Sequence, residues 1–326
     1  MYKNKIKKVL RKNPSLLRYL QYIYNMFFHK DRLMQKCSFG NMYDTDQILI
    51  IRPTTDDGIQ GLMSLFIQAM RWVDYANRKG VIPYIDFKNY KTQYYDGIGN
   101  VWDYFFTQPS SLSIDEVYNS KRVIVSGATW YKTVDETLFR GEVFNDSKLS
   151  EKCFSVIWNN IDYSDEVKNI VEKENKVIQA EKCIGVYLRG TDYIQLKPTG
   201  EYVQPDIESV IQKVDEFIHR YGNLKIFLVT EDYKYYHSMK QKYKDEIKIV
   251  SYDKFIQNYD GKNFLSKSNV LEENPKKRGM DYLVKIVLLS KCKYLVSSIT
   301  MGSIAAYSLN GGVYEDSYIF NLGFYK

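Results

Sequence analysis

The chain has 326 residues, of which 44% are hydrophobic and 26% charged, a balance that suits a globular protein of two domains and excludes a disordered one. Its formal net charge of +7 is concentrated at one end: residues 1–36 hold ten Lys or Arg against one acid, and the rest holds 36 basic and 38 acidic residues. A near-neutral body without a recognition motif excludes a nucleic-acid binder, whose basic stripe belongs on the folded domain.

The first segment, residues 1–40, joins a basic start (Lys3, Lys5, Lys7, Lys8, Arg11, Lys12) to an amphipathic run with Leu16, Leu17, Leu20, Ile23, Met26 and Phe27. It lacks the apolar core and small-residue cleavage site of a secretory signal, and no later stretch is apolar enough to span a bilayer. The expectation is a cytoplasmic protein. The amphipathic run suits two roles equally: peripheral contact of residues 1–36 with the inner membrane face, or packing on its own domain.

From Gln47 the pattern predicts a buried strand Ile48 to Ile51, a turn Gly58 to Gly61, a helix Leu62 to Arg78 and a strand Val81 to Asp86. An aromatic stretch with Trp102, Tyr104, Phe105 and Phe106 leads to a strand Arg122 to Ser126 and a helix around Lys148 to Lys173. These make a first Rossmann-like domain over 41–180. The second, over 181–326, opens with strand Cys183 to Arg189 and a loop Tyr193 to Gln204, after which Pro205 begins a helix with Val210, Val214 and Phe217 at helical spacing. There follow strand Lys225 to Thr230, helix Tyr233 to Lys244, strand Ile247 to Ser251, an irregular stretch, helix Arg278 to Lys291, strand Tyr294 to Ser298 and helix Met301 to Leu309. Strands alternating with helices predict mostly parallel sheets covered on both faces, and two such units predict a cleft between them.

Ligands of doubly wound sheets bind beyond the carboxyl ends of the strands, and three strands of the second half end in polar groups. These are Arg189 with Thr191 and Asp192, then Thr230-Glu231-Asp232, then Ser298 running into Thr300, Gly302 and Ser303. An arginine fixed by a buried strand offers a bidentate fork to a diphosphate. The Thr300 to Ser303 stretch opens a helix whose free N–H groups favour a phosphate, and the Asp232 carboxylate suits the N–H edge of a guanine. Plainer roles fit each residue singly: an Arg189–Asp192 salt bridge pinning a loop, Asp232 or Thr230 as a helix cap, Ser303 as packing. Gly58 and Gly61 permit close backbone approach to a sugar or phosphate from the first domain, or only a tight connection.

Other patterns lack their context. Asp44-Thr45-Asp46 precedes a strand, unlike a metal-binding acidic motif, and Gly97-Ile98-Gly99 is not followed by a helix, so a nicotinamide-dependent oxidoreductase is disfavoured. The three histidines have no zinc-site spacing, and the four cysteines, Cys37, Cys153, Cys183 and Cys292, are widely separated, as free thiols in a reducing compartment are.

Three stretches carry a resemblance: IGVYLRGTDYIQLKPTGEYVQP from Ile184, KIFLVTEDYKYYHSM from Lys225 and RGMDYLVKIVLLSKCKYLVSSITMGSIAAYSLNGG from Arg278. They resemble the three peptide motifs of the fucosyltransferase superfamily, which includes α1,2-, α1,6- and protein O-fucosyltransferases, and are most similar to bacterial members found with surface-polysaccharide genes. The resemblance implies a GT-B-like fold and an inverting transfer of a sugar, most often L-fucose from GDP-fucose, to a hydroxyl of a surface glycan or lipid-linked glycan. It implies no required metal and no cofactor beyond the nucleotide-sugar donor. Arg189 matches the diphosphate-binding arginine, Asp232 falls where the family carries a nucleotide-contacting acid, and Thr300, Gly302 and Ser303 fall on the phosphate-binding helix start; Thr230 and Ser298, at the same strand ends, are further donor-binding candidates. Many relatives have histidine where this chain has Tyr187 and a second basic residue where it has Gly190. Glu201 lies close to the position of a proposed catalytic glutamate in the α1,6 enzymes, counting back from Pro205. Its alternative is a solvated loop residue, and Asp192 is the other candidate base. Another nucleotide sugar, or a nucleotide-sugar-binding protein without catalysis, fits the same motifs.

Overall fold

A computed structural model describes residues 14–43, 47–54, 60–127, 133–222, 224–259, 261–265 and 274–326. Helix α1 (Pro14–Phe28) leads to strand β1 (Gln35–Cys37) and then to β2 (Ile48–Ile51), whose four apolar residues are all buried. Such a run belongs in the middle of a sheet, where both faces are covered. The helix α2 (Leu62–Lys79) carries thirteen buried residues and stops at Gly80, whose φ of 62° closes the last turn. Strand β3 (Ile82–Ile85), short helices α3 (Val101–Phe105) and α4 (Ile114–Val117) and strand β4 (Val123–Val125) complete the first sheet, of order β1-β4-β2-β3. β2 is parallel to both neighbours, and β1 is an antiparallel edge that sequence patterning misses.

The single helix expected around Lys148 to Lys173 is two helices, α5 (Ser147–Trp158) and α6 (Asp165–Ile178). Asp146 caps the first through the Leu149 N–H, and Ser164 caps the second through the Val167 N–H. Each cap satisfies a donor that a new helix start leaves open, so the chain turns between them.

The second sheet comprises β5 (Cys183–Leu188), β6 (Lys225–Thr230), β7 (Ile247–Lys248), β8 (Tyr294–Ser298) and β9 (Asp316–Phe320), all parallel, in the order β7-β6-β5-β8-β9. β7 stops three residues short of the expected Ser251, and β9 was not anticipated. The expected loop after β5 contains a short helix α7 (Thr191–Leu196). Helices α8 (Ile207–Tyr221), α9 (Tyr233–Tyr243), α10 (Pro275–Ser290) and α11 (Met301–Asn310) connect the strands. α8 begins two residues after Pro205, with Asp206 as its cap.

Side chains along β5 alternate between two cores, as a pleated strand requires. Ile184, Val186 and Leu188 join α8 through Val210, Val214 and Phe217, while Cys183 and Tyr187 join the larger core with Leu283, Val287 and Ile304. That larger core also holds Leu49, Phe66, Trp72 and Trp102 of the first half, so one apolar cluster runs through both halves. α10 packs on α6 and α3, and α11 packs on α2 and α5. The architecture is α/β and GT-B-like, two Rossmann-type sheets. None of the helices, among the described residues, is long and apolar enough to cross a membrane.

Candidate functional site

Taken in chain order, the five strands of the second sheet stand 3-2-1-4-5. The strand direction of winding reverses between β5 and β8, and their carboxyl ends flank the crevice where such sheets take ligands. Arg189 follows β5 and Ile299-Thr300 follows β8.

Arg189 is built into its place. Its Nη2 stands 3.1 Å from each carboxylate oxygen of Asp192, its Nη1 stands 3.6 Å from Oε1 of Glu231, and the Tyr193 ring lies 5.1 Å from the guanidinium carbon. Burial alone works against the charge; Glu231 and Asp192 outweigh it and hold the guanidinium protonated. Yet 26% of the side chain remains exposed, so protein does not cover it completely.

The loop that carries it is clamped from β6. Glu231 accepts the Gly190 N–H at 2.8 Å and the Thr191 hydroxyl at 3.0 Å, and Asp232 accepts the Thr191 N–H at 2.8 Å. Thr191 has φ 38°, a left-handed conformation that a β-branched residue adopts only under constraint. A side chain at Gly190 would stand 2.4 Å from Asp232 Cβ, so glycine permits the clamp to close. The departure from a basic residue at position 190 therefore has a local cause.

Asp232 also caps α9 through the Lys234 and Tyr235 N–H groups, so its two oxygens serve three backbone donors. Thr230 is buried at the end of β6 and accepts the Asp232 N–H at 3.2 Å. Asp192 is 1% exposed and accepts from the N–H groups of Tyr193 and Leu265, both at 3.0 Å, in addition to Arg189. These acids are structural acceptors first.

On the β8 side, Ser298 donates to Gln204 Oε1 at 2.5 Å, both residues being buried. Thr300 and Ser303 form a reciprocal capping box at the start of α11, and the Ser303 hydroxyl also donates to the Ser298 carbonyl at 2.7 Å. Tyr187 from β5 reaches under this helix start. Its hydroxyl lies 3.1 Å from that of Tyr282, and a Cβ at Gly302 would meet the two oxygens at 2.6 and 2.5 Å. Burial raises the pKa of the Tyr187 hydroxyl, with the Arg189 charge opposing the rise.

Glu201 sits on the stretch between α7 and α8, which the C-terminal residues hold: Gly200 N–H donates to Tyr325 O at 3.0 Å, and Tyr325 N–H donates to Glu201 O at 2.9 Å. The residue is solvent-accessible, yet surrounding protein raises its carboxyl above the ordinary value while Arg189 opposes the rise.

Gly61 caps α2 with open space beside it, and the next N–H, of Leu62, donates to the Tyr94 hydroxyl at 3.0 Å. Burial raises the Tyr94 hydroxyl, and Arg278 and Arg189 both act against that rise, which ties the first half to the Arg189 side. Gly58 and Asp44-Thr45-Asp46 lie outside the described residues. Sequence reasoning missed Tyr94, Gln204 and Tyr282, which leave no local signal, and named Glu231 only within the strand end Thr230-Glu231-Asp232, without a role of its own. A concavity of about 460 Å³ lined by Tyr163, Lys168, Glu172, Asn175 and Lys291 lies at the opposite end of α10, away from these groups. Among the described residues, no group of three or more His, Cys, Asp or Glu is arranged to hold a metal ion, and the four cysteines are free.

No family model matches the chain, and no curated protein is similar to it. Solved structures are. A GDP complex of an Arabidopsis thaliana FUT1 mutant matches with a TM-score of 0.50 at 9% identity, covering 86% of this chain and 72% of that one. Fucosyltransferase NodZ from Bradyrhizobium matches at 0.48 and 13% identity, over 85% and 96% of the two chains. POFUT1 in complex with GDP matches at 0.48 and 10%, over 85% and 99%. The likeness to the plant structure shows the fold.

Proposed function

We propose that the chain is an inverting, metal-independent glycosyltransferase that transfers a sugar, L-fucose from GDP-fucose, to a hydroxyl of a bacterial surface glycan or lipid-linked glycan. The observation that carries this reading is Arg189, an arginine held charged, with its side chain partly exposed, at the switch point between β5 and β8. The fold shared with a GDP-binding plant protein and the three sequence motifs support the donor class.

In this reading residues 41–180 supply the acceptor side, with Gly58 and Gly61 at its turn, and residues 181–326 supply the donor side, with the cleft between them. The acceptor oxygen forms a bond to the anomeric carbon as the bond from that carbon to the diphosphate oxygen breaks. Glu201 takes the acceptor's proton, its raised carboxyl being the better matched to that task. Arg189 and the N–H groups of Met301 and Gly302, the two in this stretch that the capping box does not use, stabilise the charge gathering on the leaving diphosphate. Asp192 orients Arg189, with Thr230, Ser298 and Gly302 shaping the crevice. One observation favours a second reading, the same chemistry with another nucleotide: Asp232 already serves three backbone donors and has little left for a guanine edge.

Calorimetric titration with GDP, GDP-fucose, UDP and UDP-sugars tests both. Arg189→Lys is expected to weaken donor binding about 10- to 100-fold, the loss of a charge-assisted bidentate contact, and to abolish transfer. Unchanged binding and turnover in this variant sink the mechanism, and a response to UDP-sugars alone sinks the donor assignment.

A further inference from the structure

The N-terminal helix takes no part in the chemistry proposed above. In α1, Leu20, Tyr24, Phe27 and Phe28 stand at i, i+4, i+7 and i+8, which places them on one face. That face is turned to solvent: Phe27 and Phe28 are each 70% exposed, Tyr24 52% and Leu20 42%. Asn25, on another side of the helix, is 2% exposed. A helix packing on its own domain has the reverse arrangement, its apolar side inward. The chain after α1 is held at the first sheet by backbone, with β1 paired to β4 and the Met34 N 2.8 Å from where a side chain at Gly127 would begin. The helix is therefore tethered at its end with its aromatic face outward. Among the described residues, ten of the nineteen large apolar side chains that are exposed lie between Leu16 and Met42.

Charge decides what surface this face fits. Residues 1–36 hold ten Lys or Arg and one acid, and Lys30, Arg32 and Lys36, just past the helix, are exposed. A second copy of the same segment would set cations against cations, and like charge in that number opposes association. Aromatic and leucine side chains in one sector, with cations close by in the sequence, fit the boundary between headgroups and acyl chains in an anionic bilayer. We propose that α1 docks the chain on an anionic lipid surface, with Leu20, Tyr24, Phe27 and Phe28 entering the headgroup boundary and the basic residues meeting the phosphates.

The test is sedimentation of the full chain with vesicles of phosphatidylcholine containing about one-third phosphatidylglycerol, and with phosphatidylcholine alone. The full chain binds the anionic vesicles at low salt, and binding falls at least about tenfold at roughly 0.5 M salt. The double variant Leu20→Glu, Phe27→Glu loses about 50-fold or more, because two apolar anchors leave the bilayer and two negative charges enter. Its melting temperature and its nucleotide binding stay at the parent values, since both side chains are exposed and neither belongs to the groups around Arg189. Absence of binding to anionic vesicles at low salt overturns the proposal, as does a double variant that binds like the parent. A dimer seen by light scattering that the double variant abolishes, without vesicle binding by the parent, assigns the face to a second copy and overturns it too. The assay contains neither nucleotide nor acceptor, so its outcome is separate from that of the proposed transfer.

Discussion

Replacing Glu231 by alanine removes the acceptor for the Gly190 N–H at 2.8 Å and the Thr191 hydroxyl at 3.0 Å, and with them the longer ion pair to Arg189 at 3.6 Å. Gly190 is buried and Thr191 is 3% exposed, so each donor left without its acceptor costs about 1–3 kcal/mol. The ion pair, with 26% and 18% of its side chains exposed, adds less than about 1 kcal/mol. Against these losses, Thr191 recovers about 1 kcal/mol by leaving its left-handed conformation. The net destabilisation is about 1–6 kcal/mol, a fall of about 2–9 °C in Tm for a chain of this length. Glu231→Gln keeps an oxygen at the same place and loses only charge, so it costs less than about 1 kcal/mol. Thermal and urea unfolding followed by circular dichroism separate the two variants. Equal losses in both would mean that charge, not the hydrogen-bonded clamp, holds the loop, and no loss in either would refute the clamp outright.

Two further outcomes follow from the same geometry. A base acts in its ionised form, so turnover rises with pH through the raised Glu201 pKa, and Glu201→Gln removes that acid limb along with about 10²–10⁴ of the rate. Because the folded state disfavours the charged carboxylate, the stability linked to Glu201 is complete below its unfolded pKa and is lost as pH rises through the folded one. The glutamine variant escapes that loss and melts no lower than the parent at neutral pH; a lower melting point with an unchanged pH profile contradicts the assignment. Gly302→Ala would put a methyl 2.5 Å from the Tyr282 hydroxyl and 2.6 Å from that of Tyr187 in a buried place, and is expected to cost about 1–3 kcal/mol, read as a lowered urea midpoint. A midpoint equal to the parent's means that the tyrosine pair is free to move aside.

The sequence was legible where burial on both faces forces continuous apolar runs. Ile48 to Ile51, Lys225 to Thr230 and Tyr294 to Ser298 are strands with the bounds their patterns indicate. β1 and β9 were not, because edge strands are half exposed and their side chains mix polar and apolar without a clear period. α7 was read as loop for a different reason. Its first residue is held at positive φ by carboxylates more than forty residues away in the chain or nearly so, and no local propensity encodes a contact of that kind. The same distance hid the partners of the site. Arg189 stood out as a strand-end arginine, but its enclosure by Glu231, the Tyr187–Tyr282 pair under Gly302 and the Ser298–Gln204 bond join residues that only the folded sheet brings together. The break between α5 and α6 was written in the chain as Asp146 and Ser164, each just ahead of a helix it caps.

The apolar cluster shared by both halves imposes an order on how the molecule can be made. As the chain leaves the ribosome, α5 and α6 emerge well before α11 and α10, the helices that cover them. The intervening stretch is roughly a hundred residues, which at ordinary translation speed leaves those apolar faces bare for roughly 5–20 s. During that interval a truncated or stalled product presents Val167, Val171, Cys153 and Ile157 with no cover from α10 or α11, and association with other nascent chains competes with folding. Synthesis of the last helices thus closes a window of vulnerability that opens when α5 and α6 emerge.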